Sequence, residues 1–321
     1  MDHSLLPLVS CLICTYNQED YILQAIQSAL SQDYPSFEII ISDDCSTDST
    51  WEIIYEFYAN YSGSIPITIR RNKTNFGVAK HWDDASRVTN GELIFHFAGD
   101  DMSLPHRLST VVSYWLSLPT KPLLISSNGY KCNLDCKVLS MLIEQNSSDV
   151  PFLSSRKHPF IVDVLPTYVV GFSLVISRDY YALFDKLELY MWSEDEIFRS
   201  RALLLGTISY IPQPLVYYRD GGISNNTILE RRQYLHRVDQ QCLSRFNFLF
   251  TLMRDMNTHG LLNDFNYLAL DYSSNLLSYT LSANFLDSLL RLIPLLWRKG
   301  PPKVSKKTLI RYYIMKFILV F

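Results

Sequence analysis

Four mostly apolar runs in the first hundred residues each give way to a helical stretch, and that alternation restricts the fold more than any other feature of the chain. Leu8 to Tyr16 is the first run. Residues 20–31 then carry Ile22, Ala25, Ile26, Ala29 and Leu30 at helical spacing. Pro35 marks the turn into a second run, Phe37 to Ser42. Ser49 and Glu52 stand at capping-box spacing, and Trp51, Ile54, Tyr55 and Tyr58 follow on one helical face. Ile67 to Arg70 is a short third run. Val78 to Val88 is helical in pattern, Asn90-Gly91 is a turn, and Glu92 to Ala98 is the fourth run. Runs of this kind suit strands buried on both faces. Strand–helix alternation predicts an α/β, Rossmann-like domain with a mainly parallel sheet and right-handed crossovers. The strands of such a sheet end at one edge, where ligands bind.

The residues just after each strand are therefore the ones to read for chemistry. They are Thr15-Tyr16-Asn17, Asp43-Asp44-Cys45-Ser46 and Gly99-Asp100-Asp101. Two pairs of adjacent carboxylates converge on one edge. Adjacent carboxylates repel unless a cation or donor groups sit between them. Oxygen ligands of this type suit Mg²⁺ or Mn²⁺ held together with substrate phosphates. Helix capping would account for one acid per site, but not for two double acids on one edge.

The rest of the chain is less regular. Strand signals at Leu123 to Ser127, Ser173 to Ile176 and Tyr210-Ile211 surround one clear helix, opened by Ser193 and Glu196 at capping-box spacing and closed by Gly206. Beyond Asn226 the pattern is helical, with Gly260 as a stop. We therefore expect a catalytic domain over 1–225 and a helical C-terminal region over 226–321. The formal net charge of −3 hides an asymmetry, because 291–321 holds eight basic residues and no acidic one. That basic, apolar tail suits an anionic membrane surface, and equally a solvated or packed charged end. The acidic remainder leads us to expect no nucleic-acid partner. No run of 18 apolar residues is present, so no spanning helix is expected. The first residues lack a basic segment followed by an apolar one, so the chain is read as cytoplasmic, with free thiols. Cys11-Leu-Ile-Cys14 lies inside a strand pattern, whereas redox motifs of that spacing open a helix. His96, inside the fourth run, reads as a hydrogen-bonded core histidine.

Taken in order, these motifs resemble those of the family 2 glycosyltransferases. The first strand ends in Thr15-Tyr16-Asn17. Ser42-Asp43-Asp44-Cys45-Ser46-Thr47-Asp48 follows, and Gly91 to Asp101 is similar to the family's strand leading into a D-x-D-type motif. Glu194-Asp195 at a helix start, with Arg201 six residues on, and the Pro212 to Arg219 segment complete the set. The resemblance covers residues 8–225. It implies the GT-A fold and an inverting transfer from a UDP- or dTDP-sugar to a glycan or lipid-linked acceptor, of the kind used to build bacterial surface polysaccharides. It implies a nucleotide-sugar site of Thr15, Tyr16, Asn17, Asp44, Asn75, Lys80 and Asp100. Tyr16 would lie on the base, and Asp44 would accept from a base N–H. Asp101, helped by Asp100, would hold Mn²⁺ or Mg²⁺. Asp195 would be the general base, and Trp192, Glu194 and Arg201 would face or support the acceptor. The stretch Asn75-Phe76-Gly77-Val78-Ala79-Lys80 departs from the Ala-Arg-Asn of many relatives.

Three other classes compete. A Rossmann oxidoreductase needs a glycine-rich first turn, which Thr15-Tyr16-Asn17 does not supply. A metal-dependent nuclease or phosphatase would want phosphate-facing cation clusters. A non-catalytic nucleotide-sugar-binding or scaffold protein of the same fold would not need Asp44, Asp100, Asp101 and Asp195 together.

Overall fold

The computed structural model describes residues 6–142, 153–154, 171–191, 193–205 and 207–220, and within the C-terminal region 244, 247–248, 251–252, 254–255 and 257–260. Trp192, Gly206 and the basic tail from 291 onward lie outside the described residues. The chain divides into two units, Met1–Leu229 and Glu230–Phe321. In the second, the described residues from 244 to 258 are helical, and Gly260 follows at φ 72°. No helix of the described residues is long and apolar enough to cross a membrane.

The first unit opens as the alternation predicts: β1 (Val9–Thr15), α1 (Ile22–Leu30), β2 (Phe37–Asp43), α2 (Thr50–Asn60), β3 (Ile67–Arg71), α3 (Val78–Ser86) and β4 (Leu93–Ala98). Every residue of β1 is buried, which is why the run carries no alternating polar face. Cys11 and Cys14, an odd number of positions apart on this strand, point to opposite faces of the sheet. Helix α1 buries Ile22, Ala25, Ile26 and Ala29 along one side. These residues meet Ile13, Ile39, Phe95 and Val111 in one apolar core. Fully burying an aliphatic side chain of this kind contributes about 1.5–3 kcal/mol.

After β4 the sheet turns mixed. β5 (Met102–Ser103), α4 (Arg107–Ser117), β6 (Leu124–Cys132), β7 (Val138–Met141), β8 (Leu153–Ser154), β9 (Val175–Ser177), α5 (Arg178–Leu183), α6 (Glu194–Leu205) and β10 (Thr207–Arg219) follow. The strand order is β3-β2-β1-β4-β9-β6-β10-β5, with β7 on β6 and β8 on β10. β3, β2, β1 and β4 are mutually parallel. β9 runs antiparallel between β4 and β6, and β10 lies parallel to β6.

Register brings the strand ends together. Thr15 pairs with Asp43, and Cys14 with Ala98. Asp44 N donates to Thr15 O at 3.0 Å, and Gly99 N to Cys14 O at 3.1 Å. Gly99 permits this approach, since a Cβ there would lie 2.3 Å from Gln18 Oε1. On the far side, Tyr217 of β10 pairs with Met102, which delivers Arg219 to the acidic turn after β4.

Two local readings need correction. Ser49 and Glu52 form no capping box. Ser49 has near-helical angles (φ −78°, ψ 8°) and makes no side-chain cap, whereas a capping residue is extended. Asp48 Oδ1 accepts from Thr50 N instead, and Ser49 N donates to Glu19 Oε2. His96 is a core residue, but its ring nitrogens have no hydrogen-bond partner among the described residues. It stacks on Trp82 at 4.1 Å and meets the edge of Phe198. Burial pushes its pKa down to about 3, so it packs as a neutral aromatic ring.

Candidate active site

The two acidic pairs at the sheet edge have different surroundings. Asp43 is fully buried. Its carboxylate accepts from Ser46 N at 3.0 Å, takes the Ser46 hydroxyl, and pairs with Arg71 Nε at 3.1 Å. Burial still raises its pKa above the ordinary value, the Ser46 and Arg71 contacts opposing. Asp44, 2% exposed, accepts three bonds. Asn72 Nδ2 and Phe76 N reach Oδ1 at 2.7 and 2.9 Å, and Gly77 N reaches Oδ2 at 3.0 Å. Donor groups from within the chain, with the Arg71 guanidinium, relieve the repulsion in this pair. Asp44 thereby shapes the loop from 72 to 77.

The other expected nucleotide residues are brought to the same edge but are partly tied up. Asn17, at φ 52°, accepts from Thr47 N and donates its own N–H to Ser46 Oγ, so it locks the first two loops together. Thr15 Oγ1 bonds Gln18 Oε1. Asn75 Oδ1 accepts from Gly77 N in a local turn. Tyr16 is half-buried beside them. Lys80 instead stands 4.0 Å from Glu188 and over the Phe76 ring at 4.9 Å. Neither contact involves the acidic turn.

In the second pair the roles of the two acids separate. Asp101 is the buried member, 6% exposed, and its Oδ1 accepts from Arg219 N at 2.8 Å. Burial first, then the Asp100 charge, holds its carboxyl well above the usual range. Asp100 is half-exposed. Asp100 is therefore the more reachable of the two acids, with Asp101 behind it. Among the described residues no group of three or more His, Cys, Asp or Glu side chains could hold a metal by itself. One or two carboxylates completed by substrate phosphate oxygens is the set that Mg²⁺ or Mn²⁺ takes with nucleotides, and Asp100 with Asp101 behind it fits that set.

Arg219 is the residue whose importance the sequence concealed. It is 2% exposed. Besides its amide bond to Asp101, its Nη1 donates to Asp100 O, its Nη2 to Gln24 Oε1 and Cys136 Sγ at 2.7 Å each, and its guanidinium lies 4.4 Å from the Tyr21 ring centroid. One side chain thus fixes the acidic turn against α1. The last position of the Pro212 to Arg219 segment was its only signal.

Glu194 and Asp195 open α6, both half-buried. Ser193 Oγ donates to Asp195 Oδ1. Burial, then the Asp195 charge, pushes Glu194 up to about 8, and Asp100 adds to the rise. Glu194 therefore stands within electrostatic reach of both Asp195 and Asp100. Gly171 makes room for Glu194, since a Cβ there would lie 2.3 Å from its Oε1. Arg201 is fully buried and stacks over Phe184 at 5.0 Å. It can support the helix but cannot touch an acceptor.

The model of glycosyl transferase family 2 matches residues 10–139. Over 108 residues the chain is 37% identical to EpsE of Bacillus subtilis (strain 168), covering 34% of this chain and 38% of EpsE. Over 128 residues it is 34% identical to the UDP-Glc:alpha-D-GlcNAc-diphosphoundecaprenol beta-1,3-glucosyltransferase WfaP of Escherichia coli, covering 40% of this chain and 48% of WfaP. The matched region is thus less than half the length of either relative. In structure the chain is similar to the mannosyltransferase PcManGT of Pyrobaculum calidifontis, solved with GDP-Man and Mn²⁺, at a TM-score of 0.51 and 16% identity over 99% of this chain and 88% of that one. That likeness concerns the fold. The family match runs from β1 through the acidic turn that Arg219 fixes, so the likeness to glycosyl transferase family 2 lies in residues 10–139, and the fold is GT-A.

Proposed function

We propose that the chain is an inverting glycosyltransferase that moves a sugar from a UDP- or dTDP-sugar to a hydroxyl of a glycan or lipid-linked acceptor. The observation that carries this reading is Asp195 at the start of α6, held by Ser193, next to a Glu194 that feels the charges of both Asp195 and Asp100. In it Asp195, oriented by Ser193, is the general base. It takes the acceptor hydroxyl proton as the acceptor oxygen bonds the anomeric carbon and the bond to the diphosphate oxygen breaks. Attack from the face opposite the leaving group inverts that carbon, through an oxocarbenium-like state. Glu194, largely protonated at neutral pH, keeps the site from carrying a third negative charge beside an anionic donor. Asp100 and Asp101 would hold the divalent ion, which when bound supplies charge neutralisation to the diphosphate. The UDP-Glc donor and diphosphoundecaprenol-linked acceptor in WfaP's name support this choice of substrates.

Asp195→Asn tests the assignment. Donor binding should persist while transfer falls by at least about 10²-fold, the scale of a lost general base. Near-normal transfer by that variant would overturn it.

A further inference from the structure

We infer that Asn72 is a specificity-determining residue, which bars guanine from the base site by occupying an acceptor position on Asp44. The inference rests on the donor-binding reading above, in which Asp44 meets the base. A carboxylate offers about four lone-pair positions. Three are filled from within the chain, by Asn72 Nδ2, Phe76 N and Gly77 N. Both positions on Oδ1 are used, and one remains, on Oδ2.

Asn72 cannot vacate its position by turning its amide over. Its Oδ1 accepts from Arg70 Nη2 at 3.0 Å, and that nitrogen is held by Asp84 Oδ2 at 2.6 Å. A flipped amide would set N–H against guanidinium and oxygen against carboxylate, so the hydrogen-bond network permits one orientation. The side chain is 6% exposed and its backbone N–H is tied to Asp43 O at 2.8 Å.

One free acceptor position matches one donor. Uracil and thymine offer a single ring N–H between two carbonyls. Guanine offers two parallel donors, the N1–H and the exocyclic amino group, and would ask for one position on each carboxylate oxygen. Its second donor would be desolvated without a partner, which weakens binding by at least about tenfold. Adenine and cytosine present a ring nitrogen lone pair to the carboxylate and are repelled.

Hypoxanthine isolates the cause, because it is guanine without the amino group. Calorimetry on the full chain with Mn²⁺ should compare UDP, dTDP, IDP and GDP. UDP and dTDP should bind best, and IDP should bind about tenfold more tightly than GDP although both are purines. Asn72→Ala, with thermal unfolding as a check on folding, should narrow the IDP-to-GDP gap by freeing an Oδ1 position. If that variant does not fold, the wild-type ratio decides alone. GDP binding as tightly as IDP, or a folded Asn72→Ala that keeps the wild-type gap, would overturn the inference and leave the donor-binding reading standing. Failure of all four nucleotides to bind would remove that reading and the inference with it.

Discussion

The two aspartate pairs look alike in sequence and sit at the ends of the two parallel strands that flank β1, yet they solve the same electrostatic problem in opposite ways. Around Asp43 and Asp44, the Ser46 and 72–77 loops supply N–H and O–H donors, with Arg71 as a counter-charge. Those carboxylates are components of the backbone framework. Around Asp100 and Asp101, Arg219 anchors the buried member and the backbone, and a half-exposed carboxylate remains near Glu194 and Asp195. Asp43, saturated by the chain, builds the site, Asp44 keeps one acceptor position, and half-exposed Asp100 can face a cation.

The sharpest way to break this contrast is to remove the saturated acid. Asp43→Ala leaves the Ser46 amide and hydroxyl without their acceptor and Arg71 without its partner. It should cost about 2–4 kcal/mol of stability, read from urea unfolding, whereas Asp100→Ala should cost less than about 1 kcal/mol. Equal losses would dissolve the distinction. Arg219→Met comes next. It removes the guanidinium donors to Asp100 O, Gln24 and Cys136 while sparing the amide bond to Asp101. A loss of about 1–3 kcal/mol should accompany roughly tenfold weaker Mn²⁺-dependent UDP binding. Unchanged nucleotide affinity in a folded variant would show that the acidic turn holds itself.

How much of this was legible beforehand follows from which interactions are local. The strands and helices up to β4 were readable because buried parallel strands and one-sided helices write their burial into the order of residues. Gly99-Asp100-Asp101 and Glu194-Asp195 were readable as chemistry because adjacent acids are unfavourable without a reason. What could not be read was long-range. Arg219 reaches back to Gln24 and Asp100 from a position more than a hundred residues away. The antiparallel insertion of β9 between β4 and β6 depends on the chain turning back. The division of labour between Asp100 and Asp101 depends on which carboxyl Arg219 covers. Asp44 was assigned to the base by resemblance, and its ties to Asn72, Phe76 and Gly77 came only with the structure.

A smaller effect concerns the third carboxylate. The unfolded chain releases the Glu194 proton near the ordinary carboxyl value of 4.5, and the folded chain at about 8. Between those values the folded state holds more protons, so this group lowers stability as pH rises through the window. Glu194→Gln should remove that part of the slope when unfolding is measured at pH 5 and pH 8. An identical slope in the variant would mean that Glu194 ionises freely and that the three acids are not electrostatically joined.

The most direct test of the account is the metal dependence of UDP binding, measured by calorimetry on wild type and Asp100→Asn with Mn²⁺ and with excess chelator. Wild type should bind UDP appreciably only with Mn²⁺, and Asp100→Asn should lose most of that difference while staying folded. Equal wild-type affinity with Mn²⁺ and with chelator would contradict it.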